Sequence, residues 1–562
     1  MSESSVNRNR NKKRKKSFLK NARKYAKKGY YGRGSELDAD TYQYFVRIME
    51  AYREGFDNDE DKIVFVNNVF EQTENSEINC SRNQVGCRVI EVLLPFANDS
   101  VLAKYIEAFC AELRPLCNDR FASHVLESMV VQACKRSKDE KTNSEMRTLF
   151  TGFILKVSKF LLNNLEDYIW DTYGNHVTRT CIEQLLQMED NECSEVLKEY
   201  ATRLIAWPQF NELCQTELTS GFLQILLKHL TNVDKDQLKI YLKKLTKESF
   251  KSDGPETGGF PKVFLSKSLI MLLETSIELC KGKMFQKLYK HYFAGRLQKL
   301  AITRNTNFAV QKIVQHCPEK ELFEEIFGEL ADHFKDIIEA GHTGIILALA
   351  KSCKRLSTLQ GSFAQNLMKA LDCFQPEEKQ QSFILCLGRF TTFDKTIEMP
   401  TGNIHKEKLN LHGTLIVQEL LNFNKPIKLV NSILSLDAND LKNLFSNTMG
   451  SHIADSYMKG EFVGEKSRER LVRKLMGSYQ ELASTKYGSR SFEALWNGAQ
   501  LKLKIMIMEE LSKKDASWAN TPFGQIISNK VNLALFKRSR DDWKNSLNKG
   551  DKAEKILADI LK

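Results

Sequence analysis

The sequence predicts an all-α solenoid, and three observations carry that prediction. A short motif centred on a small residue recurs along most of the chain, at a base spacing of 36–38 residues. Between copies, apolar side chains fall at helical steps: Leu102, Ile106, Phe109 and Leu113 make one stripe, and Val125, Leu126, Met129, Val130 and Ala133 make another. The composition is 42% apolar with only 10 prolines in 562 residues, which suits long helical stretches and excludes a wholly disordered chain. Two stripes per period predict a helix pair that buries its inner face against the next pair.

The elements follow in order. Residues 1–34 hold 13 of the 83 basic residues and one acid, Glu3. The formal charge of +12 therefore belongs to this segment, and the rest of the chain is formally neutral. A block of like charges repels itself, so 1–34 is expected to be a disordered basic tail. Its two basic clusters suit a nuclear-import address or sequence-blind phosphate contact. It closes with Gly29-Tyr30-Tyr31-Gly32-Arg33-Gly34, whose rings could stack on bases.

Residues 35–80 lack the motif and are expected to form an N-terminal helical cap. The array follows over 81–530, its copies headed by Cys87, Ser123, Asn175, Ser220, Ser266, Asn307, Thr343, Thr414, Ser451, Ser489 and Gln525. Longer spacings are read as insertions, such as Lys135 to Arg147 and Lys251 to Pro261. The widest, from Thr343 to Thr414, leaves room for a degenerate twelfth unit near Ser382. Residues 531–562, with Ile556, Leu557, Ile560 and Leu561 in an amphipathic stretch, are expected to form a C-terminal cap.

Other classes find little support. No apolar run approaches the roughly 18 residues that cross a bilayer, and the chain start has no apolar signal core, so a soluble intracellular protein without membrane contact is expected. Thirteen cysteines lie between Cys80 and Cys386 with no C-x-x-C pair, which points to buried thiols and to no metal or cofactor. No phosphate-binding loop, zinc-protease or nucleophile-elbow motif occurs, and no enzymatic activity is expected.

The motif itself carries chemistry. In the pentad small–Arg/His/Phe–apolar–apolar–Glu/Gln, the third and fourth residues point to the core. The first, second and fifth are expected on the opposite, exposed face. A small polar residue and an acid or amide one turn apart can grip a base edge, and a planar side chain between them can stack on the base. A protein-binding scaffold has no reason to repeat that trio.

With this motif and period the chain resembles the Pumilio family of RNA-binding repeats over residues 80–530. About eleven divergent copies behind a basic arm are similar to the nucleolar protein nine branch of ribosome-biogenesis factors. The resemblance implies a curved or U-shaped scaffold in the nucleolus. It implies binding of small-subunit pre-rRNA, the 18S precursor, with a part in its processing and in 40S subunit biogenesis.

Carried over residue by residue, the family's base code matches Asn307, Phe308 and Gln311 to uracil. Ser123, His124, Glu127 and Ser489, Arg490, Glu493 match guanine, and Cys87, Arg88 and Glu91 come close. Asn175 and His176 keep two roles, while Arg179 replaces the amide and would favour phosphate. Ser451 and His452 keep two roles, and Asp455 is short by one methylene. Ser220/Gln224 and Thr414/Gln418 match an adenine reader without a stacking partner, because Gly221 and Leu415 stand between. No base contact is expected at Ser266/Ile270, Thr343/Leu347 or Gln525/Asn529. The expected partner is single-stranded or partly structured RNA, bound by a monomer that also meets pre-ribosomal proteins. The alternative is a nuclear armadillo- or HEAT-type adaptor, for which a period of about 40–47 is usual.

Overall fold

The computed structural model describes residues 18–251, 259–398, 409–513 and 517–547. Among them there is no β-strand, and no helix is long and apolar enough to cross a membrane. The chain divides into two compact units, Met1–Cys280 and Lys281–Lys562.

Each unit repeats a triplet of helices rather than a pair. In the first, Asp99–Ala111, Leu113–Cys117 and Ala122–Ser137 form one triplet, and Ser144–Asn163, Leu165–Tyr168 and Thr172–Gln187 form the next. In the second, Lys320–Leu330, Phe334–Glu339 and Thr343–Arg355 form one, and Glu465–Lys474, Tyr479–Ser484 and Lys486–Asn497 another. The middle helix has only 4–6 residues in these triplets, too few to show a hydrophobic period. The motif lies on the third helix, and eleven such helices occur among the described residues.

The predicted stripes form the core. Leu102 and Phe109 are fully buried, as are Val125, Leu126, Met129, Val130 and Ala133 on a helix packed against the next long helix, where Phe150, Ile154 and Val157 are buried too. Each such side chain stabilises by roughly 1.5–3 kcal/mol, the alanine by less. Long helices are also tied by side-chain bonds. Tyr200 Oη donates to the Ser158 carbonyl and Tyr241 Oη to the Ala201 carbonyl, both at 2.7 Å.

How a third helix starts explains the small residue of the motif. A capping side chain stands four residues before the pentad's first position. Asp119 accepts from the Phe121 and Ala122 amides, Asp171 from Gly174, Asn410 from Gly413, Asn447 from Met449 and Thr521 from Gly524. Three residues after the cap the chain passes over a carbonyl of the short helix. A Cβ at Gly86, Gly450, Gly488 or Gly524 would lie under 3.0 Å from the carbonyl oxygen of Cys80, Leu444, Leu482 or Trp518 respectively, six residues earlier. Where threonine stands there instead, it bonds that carbonyl. Thr219 Oγ1 donates to Leu213 at 2.6 Å and Thr306 Oγ1 to Leu300 at 2.7 Å.

This cap also corrects the register of one unit. Ser266 is the cap of Lys267–Leu279, so the first pentad position there is Ile270, and Met271 and Glu274 are the second and fifth. No separate third helix lies near Ser382, which ends the 3-10 turn Glu377–Ser382. Phe383–Arg389 is instead the short helix whose Leu387 carbonyl meets Gly413. The extra length falls between these two helices of one triplet.

The ends differ from expectation. Of the arm, residues 18–26 are helical, with Leu19 and Ala22 buried. The sequence pattern missed this because two buried apolar side chains interrupted by three cations, Lys20, Arg23 and Lys24, make a weak stripe. Residues 1–17 lie outside the described residues. The array begins before 81, since Asp59–Gln72, Glu77–Ser81 and Gln84–Leu93 already form a triplet. At the other end, Trp543 is fully buried and its Nε1 donates to the Val531 carbonyl at 2.9 Å. Ile556, Leu557, Ile560 and Leu561 lie outside the described residues.

Glu510 is a buried acid, only 7% exposed, on the long helix Leu501–Leu511. Its carboxylate accepts from the Gly477 and Tyr479 amides at 2.6 and 2.7 Å, fixing the start of the Tyr479–Ser484 helix. Glu510→Gln leaves one of these amides without an oxygen acceptor, and chemical denaturation is expected to show a loss of about 1–2 kcal/mol.

Candidate nucleic-acid interface

Position along the third helix decides what each pentad residue can reach. The fourth residue lies about 60° to one side of the first, and the fifth about 40° to the other. The first position therefore sits at the edge of the buried face, and the next third helix covers it. Cys87 and Asn307 are 4% exposed, and Ser123, Asn175 and Ser451 are fully buried. This corrects the expectation that they face outward. Ser489 and Thr343 are half-buried, and Gln525, heading the last copy, is exposed.

Most of their polar groups turn inward. Cys87 Sγ donates to the Phe121 carbonyl at 3.1 Å, and Asn175 Nδ2 to Ile169 at 2.7 Å. Asn307 Nδ2 donates to the Arg304 carbonyl at 2.6 Å, while its Oδ1 accepts from Gln311 Nε2 at 3.0 Å. Ser489 Oγ donates to the Lys486 carbonyl at 3.0 Å. The first positions thus orient the fifth or hold the helix start.

The second positions are the outward ones. Arg88, His124, His176, Met271, Phe308, Arg490 and Ile526 are exposed, and His452 is half-buried. Phe308, at 59%, is among the most exposed large apolar side chains described. Within each unit successive third helices pack on one another, so these side chains form a row in each.

The fifth positions bridge to the next helix. Glu127 accepts from Thr180 Oγ1 at 3.0 Å, Gln224 from Thr275 Oγ1 at 3.3 Å, and Asp455 from Arg490 Nε at 2.9 Å. Glu493 pairs with Lys530 at 2.8 Å. Arg88 and Glu91 pair within one helix at 3.1 Å. Arg490 and Glu493, two of the three residues expected to read guanine, are thus tied to the neighbouring helices on both sides, through charges no single repeat reveals.

Glycine at a second position changes this bridge. The Arg179 guanidinium lies where a Cβ of Gly221 would stand, 2.8 Å away, and donates to the Leu218 carbonyl. Gln311 lies likewise over Gly344, its Oε1 at 2.6 Å. The preceding repeat fills the space that glycine leaves. Arg179 is therefore turned to protein rather than to a phosphate.

Sequence spacing also held a signal that the pentad left out. Arg120, Lys267, Arg304 and Lys486 each stand three residues before a first position, and all four are exposed. Lys267 pairs with Glu217 at 2.8 Å. These cations flank the second-position row and suit phosphates.

The histidines in that row differ. A hydrogen bond from His124 Nδ1 to the Glu127 carboxylate, 3.4 Å away, raises the His124 pKa. Burial and then Arg490 lower that of His452. The raised value means the His124–Glu127 attraction is present at low pH and lost as pH rises through the folded-state pKa. An anion bound at His124 follows the same sign. RNA affinity is expected to rise as pH falls through this titration, and Glu127→Gln should move that rise to lower pH, as a binding titration across pH would record.

All thirteen cysteines are free, and all but Cys110 are buried. Burial pushes the Cys117 thiol up to about 12. Among the described residues no cluster of three metal-ligating side chains occurs.

The NOP9-like PUF repeat domain aligns with residues 75–198 and 190–526. The chain belongs to this family. Nucleolar protein 9 of Homo sapiens is 25% identical, covering 93% of this chain and 91% of that protein. Pumilio homolog 23 of Arabidopsis thaliana is 22% identical over 91% of this chain and 73% of its own length. A solved structure of APUM23 with GGAUUUGACGG superimposes with a TM-score of 0.72 at 21% identity, covering 91% of this chain and 99% of that one. The NOP9-like PUF repeat is thus an all-α Pumilio-type solenoid here, as the motif period predicts. The nucleolar location expected from the resemblance agrees with the relatives' name.

Proposed function

We propose that this protein binds single-stranded stretches of small-subunit pre-rRNA along its third helices and acts in 40S subunit biogenesis in the nucleolus, alongside pre-ribosomal proteins. One observation carries the reading. The outward row of the third helices consists largely of Arg, His and Phe side chains, and of the four cations before it only Lys267 has an ion-pair partner among the described residues. Planar side chains stack on bases irrespective of sequence, and flanking cations meet phosphates.

The APUM23 structure of this fold is one with GGAUUUGACGG, a uracil-containing and therefore RNA sequence. The inward first positions narrow the base code. Base edges meet the second and fifth side chains, and the first act through them. Recognition then mixes stacking and backbone contact with a few edge contacts, as at Phe308 and Gln311.

The test is fluorescence anisotropy of the chain beginning at residue 18 with a labelled single-stranded RNA. Binding at low salt that weakens log-linearly as salt rises supports the reading. If that chain does not bind RNA at low salt, the protein-binding adaptor is the better account.

A further inference from the structure

A cleft of about 480 Å³ lies between the N-terminal helix and the first third helix. Phe18, Ala22, Tyr25, Tyr30, Arg33 and Gln84 line it. We propose that this cleft is a nucleotide-binding site, which takes one base and its phosphate from an RNA strand beside the first repeat. The proposal rests on the RNA-binding reading above.

Both walls of the cleft are anchored. Leu19 and Ala22 are buried, Tyr42 Oη donates to the Ala22 carbonyl at 3.4 Å, and Arg23 pairs with Glu50 at 2.5 Å. The strap after the helix is held by Asn83, whose Nδ2 donates to the Tyr31 and Ser35 carbonyls at 3.1 and 2.8 Å. The same Asn83 caps the third helix Gln84–Leu93, accepting from the Val85 amide at 2.9 Å. The Gln84 amide donates to the Arg33 carbonyl at 2.9 Å. Gly32 and Gly34 take φ of +94° and +97°, a left-handed region that lets the strap pass close over Asn83 and Arg82.

The lining has the chemistry of a nucleotide site. Tyr25 and Tyr30 meet edge to face, with centroids 5.7 Å apart, yet stay 47% and 43% exposed. Two half-exposed rings at a cleft mouth offer a base a stacking surface. The Gln84 side chain, at the start of the helix, offers an amide donor and acceptor to a base edge. Between residues 18 and 34 there are six cations and no acid. Arg23 is spent on Glu50, whereas Lys20, Lys24, Lys27, Lys28 and Arg33 are exposed. Such a field favours a polyanion, and the paired rings favour one that carries bases.

The test measures affinity of the full chain for a fluorescein-labelled 20-nucleotide uridine strand. The variants are Tyr25→Ala/Tyr30→Ala, Tyr25→Phe/Tyr30→Phe and, in the array, Phe308→Ala. Alanine at both tyrosines should weaken binding about tenfold, and phenylalanine should keep wild-type affinity, because stacking needs the ring and not the hydroxyl. If Phe308→Ala weakens binding and the alanine pair does not, the cleft proposal fails alone. An equal loss in the phenylalanine pair also overturns it. If polyglutamate displaces the strand from wild type but not from the alanine pair, the cleft takes acidic protein instead. If wild type binds no RNA, both readings fall.

Discussion

Gly450→Ala is expected to lower the stability of the second unit by about 3 kcal/mol, read as a shift in denaturation midpoint. The added methyl has no free space. It would meet the Leu444 carbonyl oxygen, its carbon and a Leu444 methyl, all near or under 3.0 Å. Backbone cannot rotate away as a side chain can. Either the Ser451–Lys459 helix or the Ala438–Phe445 helix before it must move. Gly328 gives the contrast. It lies in Lys320–Leu330, with nothing within 4 Å of an added Cβ. Gly328→Ala should therefore stabilise by about 0.5–1 kcal/mol.

Phe308→Ala is expected to weaken RNA binding by about 1–3 kcal/mol while leaving the fold intact. The ring is 59% exposed, so its removal opens no cavity. Its neighbours Ala309 and Val310 are fully buried and hold the helix in place. Gln311 lies one turn on from Asn307 and is oriented by it. Replacing Asn307 alone should thus act through Gln311 and change base preference more than affinity. A panel of strands differing at one base, measured by anisotropy, separates the two: Phe308→Ala lowers affinity for all, and Asn307→Ala redistributes it.

Much of this was legible in the sequence because repeats average out local noise. The stripe from Leu102 to Leu113 could be read as one buried face because its spacing matches the helical period. The family resemblance rested on eleven imperfect copies rather than on one good one. What stayed hidden depends on neighbours far away in the chain. Asn175 and Ser123 are small and polar, which suits an outward reader, but the next third helix covers them. Arg179 carries a full charge, which suggested phosphate, yet the glycine at 221 opens a place for it on protein. The Ser266 unit was misread by four residues because its cap resembles a motif head, and only the start of its helix separates the two. The short helices and the docked segment 18–26 lacked enough residues or contrast to show a period.

The central claim is that RNA runs along the second-position row of the third helices. Ultraviolet crosslinking of the protein to bound RNA, with crosslinked peptides read by mass spectrometry, tests it most directly. Crosslinks should fall on peptides bearing His124, His176, Phe308 and Arg490, and on Arg120 and Arg304 beside them. Crosslinks confined to the long helices, such as Ser144–Asn163 and Leu501–Leu511, would contradict it.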